Sequence, residues 1–170
     1  QLVVDSPVLS DAQTDAIRSL GDEPEDAMTS TVVDITYDRE HSLVEAVERV
    51  RDDAADAIES GADVVVLSDR TLGPDRVAIP SLLATGAVHH SLVRSGLRNR
   101  AGLVVESGDP REVHHLATLV GYGADAVNPY LAYRTIADLV AGPDGADAAE
   151  AIGAYTEALE DGLLKTMSKM

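Results

Sequence analysis

The chain holds 170 residues, with 30 Asp and Glu against 13 Lys and Arg, a net charge of −17 and no Cys. That length suits one domain and falls short of the roughly 250 residues of a closed (β/α)8 barrel. The charge argues against nucleic acid as a partner, and the missing Cys excludes disulfides, zinc-thiolate sites, iron-sulfur ligation and thiol catalysis within this chain.

Residues 1–5, QLVVD, allow a short strand but lack the basic start and apolar run of a signal peptide. No apolar stretch reaches the roughly 18 residues of a membrane span, so no membrane partner and a cytoplasmic setting are expected. The start without Met and the end LLKTMSKM, which lacks a helix-ending signal, suggest a segment of something longer.

In SDAQTDAIRSL, Ser10 stands three residues before Gln13, a capping box that satisfies amides left free at a helix start; a helix is predicted over 11–20. After the acidic turn GDEPEDAMTS, the alternating β-branched run TVVDITY, 31–37, predicts one strand. Ser42 and Glu45 form a second capping box. Leu43, Val47, Val50, Ala54 and Ile58 then recur at helical spacing up to a stop at Gly61. DVVVLSD, 63–69, lacks alternation, as a parallel strand covered on both faces does. The same order repeats. IPSLLATGAVHHSLVRSG is a helix ended by Gly96, and AGLVVESG is a buried strand. DPREVHHLATLVGYG is a helix with Asp109 as cap, Pro110 at its first position and Glu112 reaching back. ADAVN is a fourth strand, Pro129 opens a helix through YLAYRTIADLVAG, and after the loop GPDG a last amphipathic helix runs from about 146 toward the end. Strands alternating with helices in this way predict an α/β fold of parallel βαβ repeats. It is either partial (β/α)-barrel-like or an open parallel sheet flanked by helices, in one domain over 1–170.

In such folds function collects where strands end and helices begin. Here those ends carry Asp38, then Ser68, Asp69 and Arg70, then Glu106 and Ser107, then Asn128. One use of this rim is a ligand pocket with Glu106 as acid or base and Arg70 or Arg111 holding an anion. The other is that short polar side chains cap amides and order loops, and this second reading is preferred. Neighbouring helix positions project about 100° apart, so neither His89–His90 nor His114–His115 turns both rings toward one metal; each pair predicts one ring inward and one outward. Arg111, three and four residues before His114 and His115, predicts a Glu–Arg–His cluster near the strand end. GYGADAV runs from helix to strand, the reverse of a phosphate-binding turn. No catalytic, cofactor-binding or metal residue is assigned.

The carboxylates are spread over helix faces, as in ERVRDDAADAIESGAD, rather than gathered in a tail, and Lys165 and Lys169 are the sole lysines. An acidic surface of this kind predicts adaptation to salt, as in a halophilic archaeon.

The stretches SPVLSDAQTDAIRSL, LSDR, GLLKTMSKM and the long block from Ile79 to Tyr133 resemble the second part of the central domain of the glutamate synthase large subunit. Thr85, Ser91 and the DP at 109–110 are small departures. The resemblance implies a parent oxidoreductase that frees ammonia from glutamine in an amidotransferase domain and uses it to aminate 2-oxoglutarate reductively in an FMN barrel. Electrons arrive through an iron-sulfur cluster. It implies for this chain a noncatalytic linking domain without cofactor, partnered by the amidotransferase and FMN domains, its helix over 145–170 leading toward the latter. Ser68, Asp69, Arg70, Glu106, Ser107, Arg111, His114 and Asn128 become structural or interdomain rim residues. The alternative is a small autonomous domain that binds an anionic metabolite at the same rim. Four or five strands cannot close a barrel that needs about eight, so the exposed edges also predict self-association.

Overall fold

The computed structural model describes residues 2–22, 27–141 and 147–169. The chain runs α1 (Asp11–Arg18), β1 (Ser30–Asp34), β2 (Thr36–Asp38), α2 (Leu43–Glu59), β3 (Val64–Ser68), β4 (Arg76–Ala78), α3 (Ser81–Ser95), β5 (Gly102–Glu106), α4 (Val113–Gly121), β6 (Ala126–Asn128), α5 (Tyr130–Val140) and α6 (Ala148–Met167). Four parallel strands lie in the order β1-β3-β5-β6, each beside the next along the chain, as in the wall of a (β/α) barrel. No helix among the described residues is long and apolar enough to cross a membrane.

Strand alternation divides the core. Val33, Val65, Leu67 and Leu103 face α2 and α3, while Val105 and Val127 face α4 and α6. Val64, Val66, Val104 and Ala126 face the other way, onto Leu9 and Ile17. Burying each such Val, Leu or Ile contributes about 1.5–3 kcal/mol. Thus α1 and the segment before it plug the face that a closed barrel would hold inside. That segment also extends the sheet. Leu9 N–H donates to Val127 and Val127 N–H to Pro7, so the strand-like contact falls at 7–9 rather than within QLVVD.

Both capping boxes form, at Ser10 with Gln13 and at Ser42 with Glu45. Two local expectations fail. The strand over 31–37 divides at Ile35, because the Asp34 carboxylate turns back to accept the Thr36 amide at 2.8 Å. Residues beyond it form β2, antiparallel to β4. The helix expected from Pro110 starts at Val113, with Glu112 as an extended N-cap and no side-chain cap. Its intended cap has another partner: Asp109 Oδ2 accepts the Ser81 amide at 2.9 Å and so caps α3, whose own N-cap is Pro80. The loop GPDG and the proposed start at 146 lie outside the described residues.

At the start of the strands Arg98 acts as a latch. Its Nε donates to His89 Nδ1 at 3.1 Å and its terminal nitrogens to Ala101 O, Gly123 O and Asp125 Oδ2, each at 2.9 Å. Gly123, at φ +111°, lies so close to the His89 ring that a Cβ there would overlap it.

Candidate functional site

Register builds the rim. Asp34 pairs with Ser68, Ser68 with Glu106 and Glu106 with Asn128, so the last residues of four strands stand in one row. Alternation continues the column Val66, Val104 and Ala126 into Ser68, Glu106 and Asn128, on the side covered by α1.

Glu106 is fully buried. Its Oε2 accepts the Ser68 hydroxyl at 2.6 Å, its Oε1 accepts Arg70 Nε at 2.8 Å, and Arg18 reaches over from α1 to both oxygens at 3.0 and 3.1 Å. Burying a carboxylate is costly unless it is paired and hydrogen-bonded in this way. Arg70 also donates to Asp11 at 3.3 Å and lies 4.2 Å from the centre of the Tyr130 ring, a cation–π contact. Asp69, likewise buried, accepts the Ser107 hydroxyl at 2.6 Å and the Gly108 amide. Burial first, then the neighbouring Asp69 carboxylate, push the Tyr130 phenol far above its ordinary value. Asn128 donates to Leu9 O and Asp11 Oδ1, both at 3.0 Å, while its buried Oδ1 has no partner among the described residues.

At the β1 end, Asp34 accepts the hydroxyls of Thr36 and Thr71 at 2.8 Å and Arg76 at 2.7 Å. Burial pushes its carboxyl up, but the hydrogen bonds from Thr36 and Thr71 and the Arg76 charge outweigh it and hold the group below its ordinary value.

Ser68, Asp69, Arg70, Glu106, Ser107 and Asn128 therefore meet. Asp38 does not join them: the break at Ile35 carries it into β2, and Asp34 stands in the row instead. Arg111 and His114 do not bond to Glu106. The Arg111 amide donates to His115 Nδ1 at 3.2 Å, its carbonyl accepts Tyr155 Oη at 3.0 Å, and Glu112 lies 3.5 Å from His115 Nε2. The expected Glu–Arg–His cluster is thus a local contact at the start of α4. Burial raises the Tyr155 phenol to about 12. His114 and His115 are both exposed, since α4 starts late and presents this turn to solvent, whereas His89 is half-buried and His90 exposed. The sequence reading missed Arg18, Asp11 and Tyr130. Arg18 is 88 residues from Glu106, with no local mark; Tyr130, just after the last strand and Pro129, had the one usable signal.

A general base needs an acceptor within about 3 Å of a substrate proton. Glu106 and Asp69 instead spend their oxygens on protein donors. No group of three or more His, Asp or Glu among the described residues could hold a metal ion.

A family model for the glutamate synthase central domain matches residues 1–170. The chain belongs to the glutamate synthase central-domain family. It is 41% identical to the glutamate synthase [NADPH] large chain of Azospirillum brasilense over 175 residues, covering 99% of this chain and 11% of that protein. It is 40% identical to the glutamate synthase [NADH] of Schizosaccharomyces pombe over 176 residues, covering all of this chain and 8% of that protein. This central-domain chain thus spans about a tenth of the length of these relatives. Among solved structures, a flavocytochrome b2 mutant with pyruvate bound superposes with a TM-score of 0.51 at 23% identity, over 69% of this chain and 28% of that one. That likeness bears on fold alone, and it agrees with the barrel-like strand order.

Proposed function

We propose that this chain is a noncatalytic linking module of a glutamate synthase, an oxidoreductase that makes L-glutamate from L-glutamine and 2-oxoglutarate by ammonia channelling and reductive amination. On this reading FMN and the iron-sulfur cluster belong to other domains, and the module holds the amidotransferase and FMN domains in place. The polar rim orders the loops that face them. The observation that carries the reading is Glu106, whose carboxylate is buried and bonded to Ser68, Arg70 and Arg18. Such a group fixes α1 and the β3–α3 connection to the sheet; moving a proton through it would break bonds to two guanidinium groups.

The competing reading is an anion site at the same rim, favoured by the partial exposure of Arg18 and Arg70. Glu106 pairs with both and Asp11 with Arg70, so two carboxylates already offset the two guanidinium charges and leave little field for a further anion. Thermal melts with FMN, 2-oxoglutarate and glutamine separate the two, because a ligand at 100 times its dissociation constant adds about 2.7 kcal/mol of stability. The linking reading expects no shift with any of them. A saturable shift removed by Arg70→Ala would establish the anion site instead.

A further inference from the structure

A groove of about 620 Å³ on the outer surface runs between α2 and α3, and its walls differ from the rest of the protein. Leu82, Leu83 and Tyr122 line it, with Arg51, His90 and Arg94, and no carboxylate is among the lining residues. Leu82, Leu83 and Tyr122 are all exposed, Tyr122 by 50%. Tyr122 can lie across α3 because position 86 is glycine: a Cβ there would come within 3.2 Å of the ring.

The charge pattern is stranger than the shape. Asp and Glu make up 30 of 170 residues, so a 30-residue window should hold about five; residues 76–105, which include all of α3, hold none. Arg18, Arg49, Arg70, Arg76 and Arg98 each sit in an ion pair with a carboxylate. Among the described residues Arg51 and Arg94 form no ion pair, and the buried Arg51 Nε has no hydrogen-bond partner. A surface that is acidic nearly everywhere is bare of acid where leucines and unpaired arginines surround a groove. Exposed apolar surface beside unmatched cations is the complement of a segment carrying carboxylates around an apolar side chain.

We propose that the α2–α3 groove docks an acidic, apolar-centred segment from elsewhere in the same polypeptide. Its carboxylates would meet Arg51 and Arg94, and its apolar side chain would sit among Leu82, Leu83 and Tyr122. The relatives extend about tenfold beyond the part this chain matches, which supplies candidate segments at the high effective concentration of a tether. A second copy is the weaker occupant in dilute buffer, where two chains of net charge −17 repel each other. The inference rests on the reading that the chain is one module of a longer protein, and the ligand melts above test that reading separately.

The test uses the purified full-length polypeptide, with a photo-crosslinking amino acid replacing Leu83 and, as a control outside the groove, Leu139 on α5. Crosslinked peptides are then mapped by mass spectrometry. The result expected is an intramolecular crosslink from position 83 to a segment rich in Asp or Glu. Its yield should fall at least fivefold with Arg94→Glu and less with Arg94→Gln, with circular dichroism unchanged in both. No crosslink above the Leu139 control, one to a second copy or to a segment without carboxylates, or a yield indifferent to Arg94→Glu would overturn the proposal.

Discussion

Glu106 is the single residue whose loss should be felt most. Removing one partner of a fully buried ion pair costs about 3–5 kcal/mol. Arg18 and Arg70 are about a third exposed and can rehydrate, so the cost here is smaller. We expect Glu106→Ala to lose about 2–3 kcal/mol and Glu106→Gln, which still accepts from Ser68, about 1–2 kcal/mol, measured by urea denaturation. Stability unchanged in both would refute the role assigned to the rim. His89 offers a second reading at this scale. Its Nδ1 accepts from Arg98, so the ring must be neutral there. Burial foremost, then the Arg98 and His90 charges, lower its pKa below 6.5, with Asp125 opposing. The unfolded chain therefore binds the proton first as the pH drops. The contribution of His89 is complete above about pH 6.5 and is lost as pH falls through the lower, folded-state value. Melts between about pH 8 and pH 5 should show a shallower acid decline for His89→Gln, which retains an acceptor for Arg98. Parallel curves for the two proteins would exclude this role.

Among the elements, α3 depends on a cap it does not own. Pro80 offers no side-chain oxygen, and the Asp109 carboxylate arrives from the β5–α4 connection instead. Asp109→Ala should cost about 1 kcal/mol, the usual worth of an N-cap, and lower the melting temperature by about 3 °C. If Asp109→Asn costs as much as Asp109→Ala, the hydrogen bond is not what the site uses. This element also shows where sequence reading stops. The capping boxes at Ser10 and Ser42 and the left-handed Gly96 were legible because each device closes within a few residues. Of the parallel strands, β3, β5 and β6 were legible because runs such as Val64–Leu67 are apolar on both faces, and β1 because its β-branched residues alternate, though its end was not. Asp109 followed the local rule for capping α4 and was drawn away by an amide 28 residues earlier. The β2–β4 pair is three residues long on each side, too short to carry a period. The rim was half visible. Residues at strand ends could be named in order, whereas Arg18 and Asp11 reach it through α1, whose place across the sheet is set by packing on Val64, Val66 and Val104.

The whole molecule must fold against its own charge. On α2 alone Glu45, Glu48, Asp52, Asp53, Asp56 and Glu59 are exposed, and within the helix only Asp53 has a cation, Arg49. Glu48, Asp52 and Asp56 follow one another at four-residue spacing, and each such like-charge pair costs about 0.2–0.5 kcal/mol in dilute buffer. Screening changes the balance: the Debye length is about 8 Å at 0.15 M salt and about 3 Å at 1 M, shorter than the about 5–6 Å between side chains one helical turn apart. We therefore expect the melting temperature to rise between 0.1 M and 2 M KCl. The cause can be separated from a general salt effect on apolar burial by Asp52→Lys, which turns two repulsions into attractions. That variant should melt higher than the parent protein in dilute buffer and lose its advantage in 2 M KCl. A gain that persists in molar salt would mean that the acidic helix faces are not held in check by screening, and a melting temperature indifferent to salt would remove the salt-adapted reading of this surface.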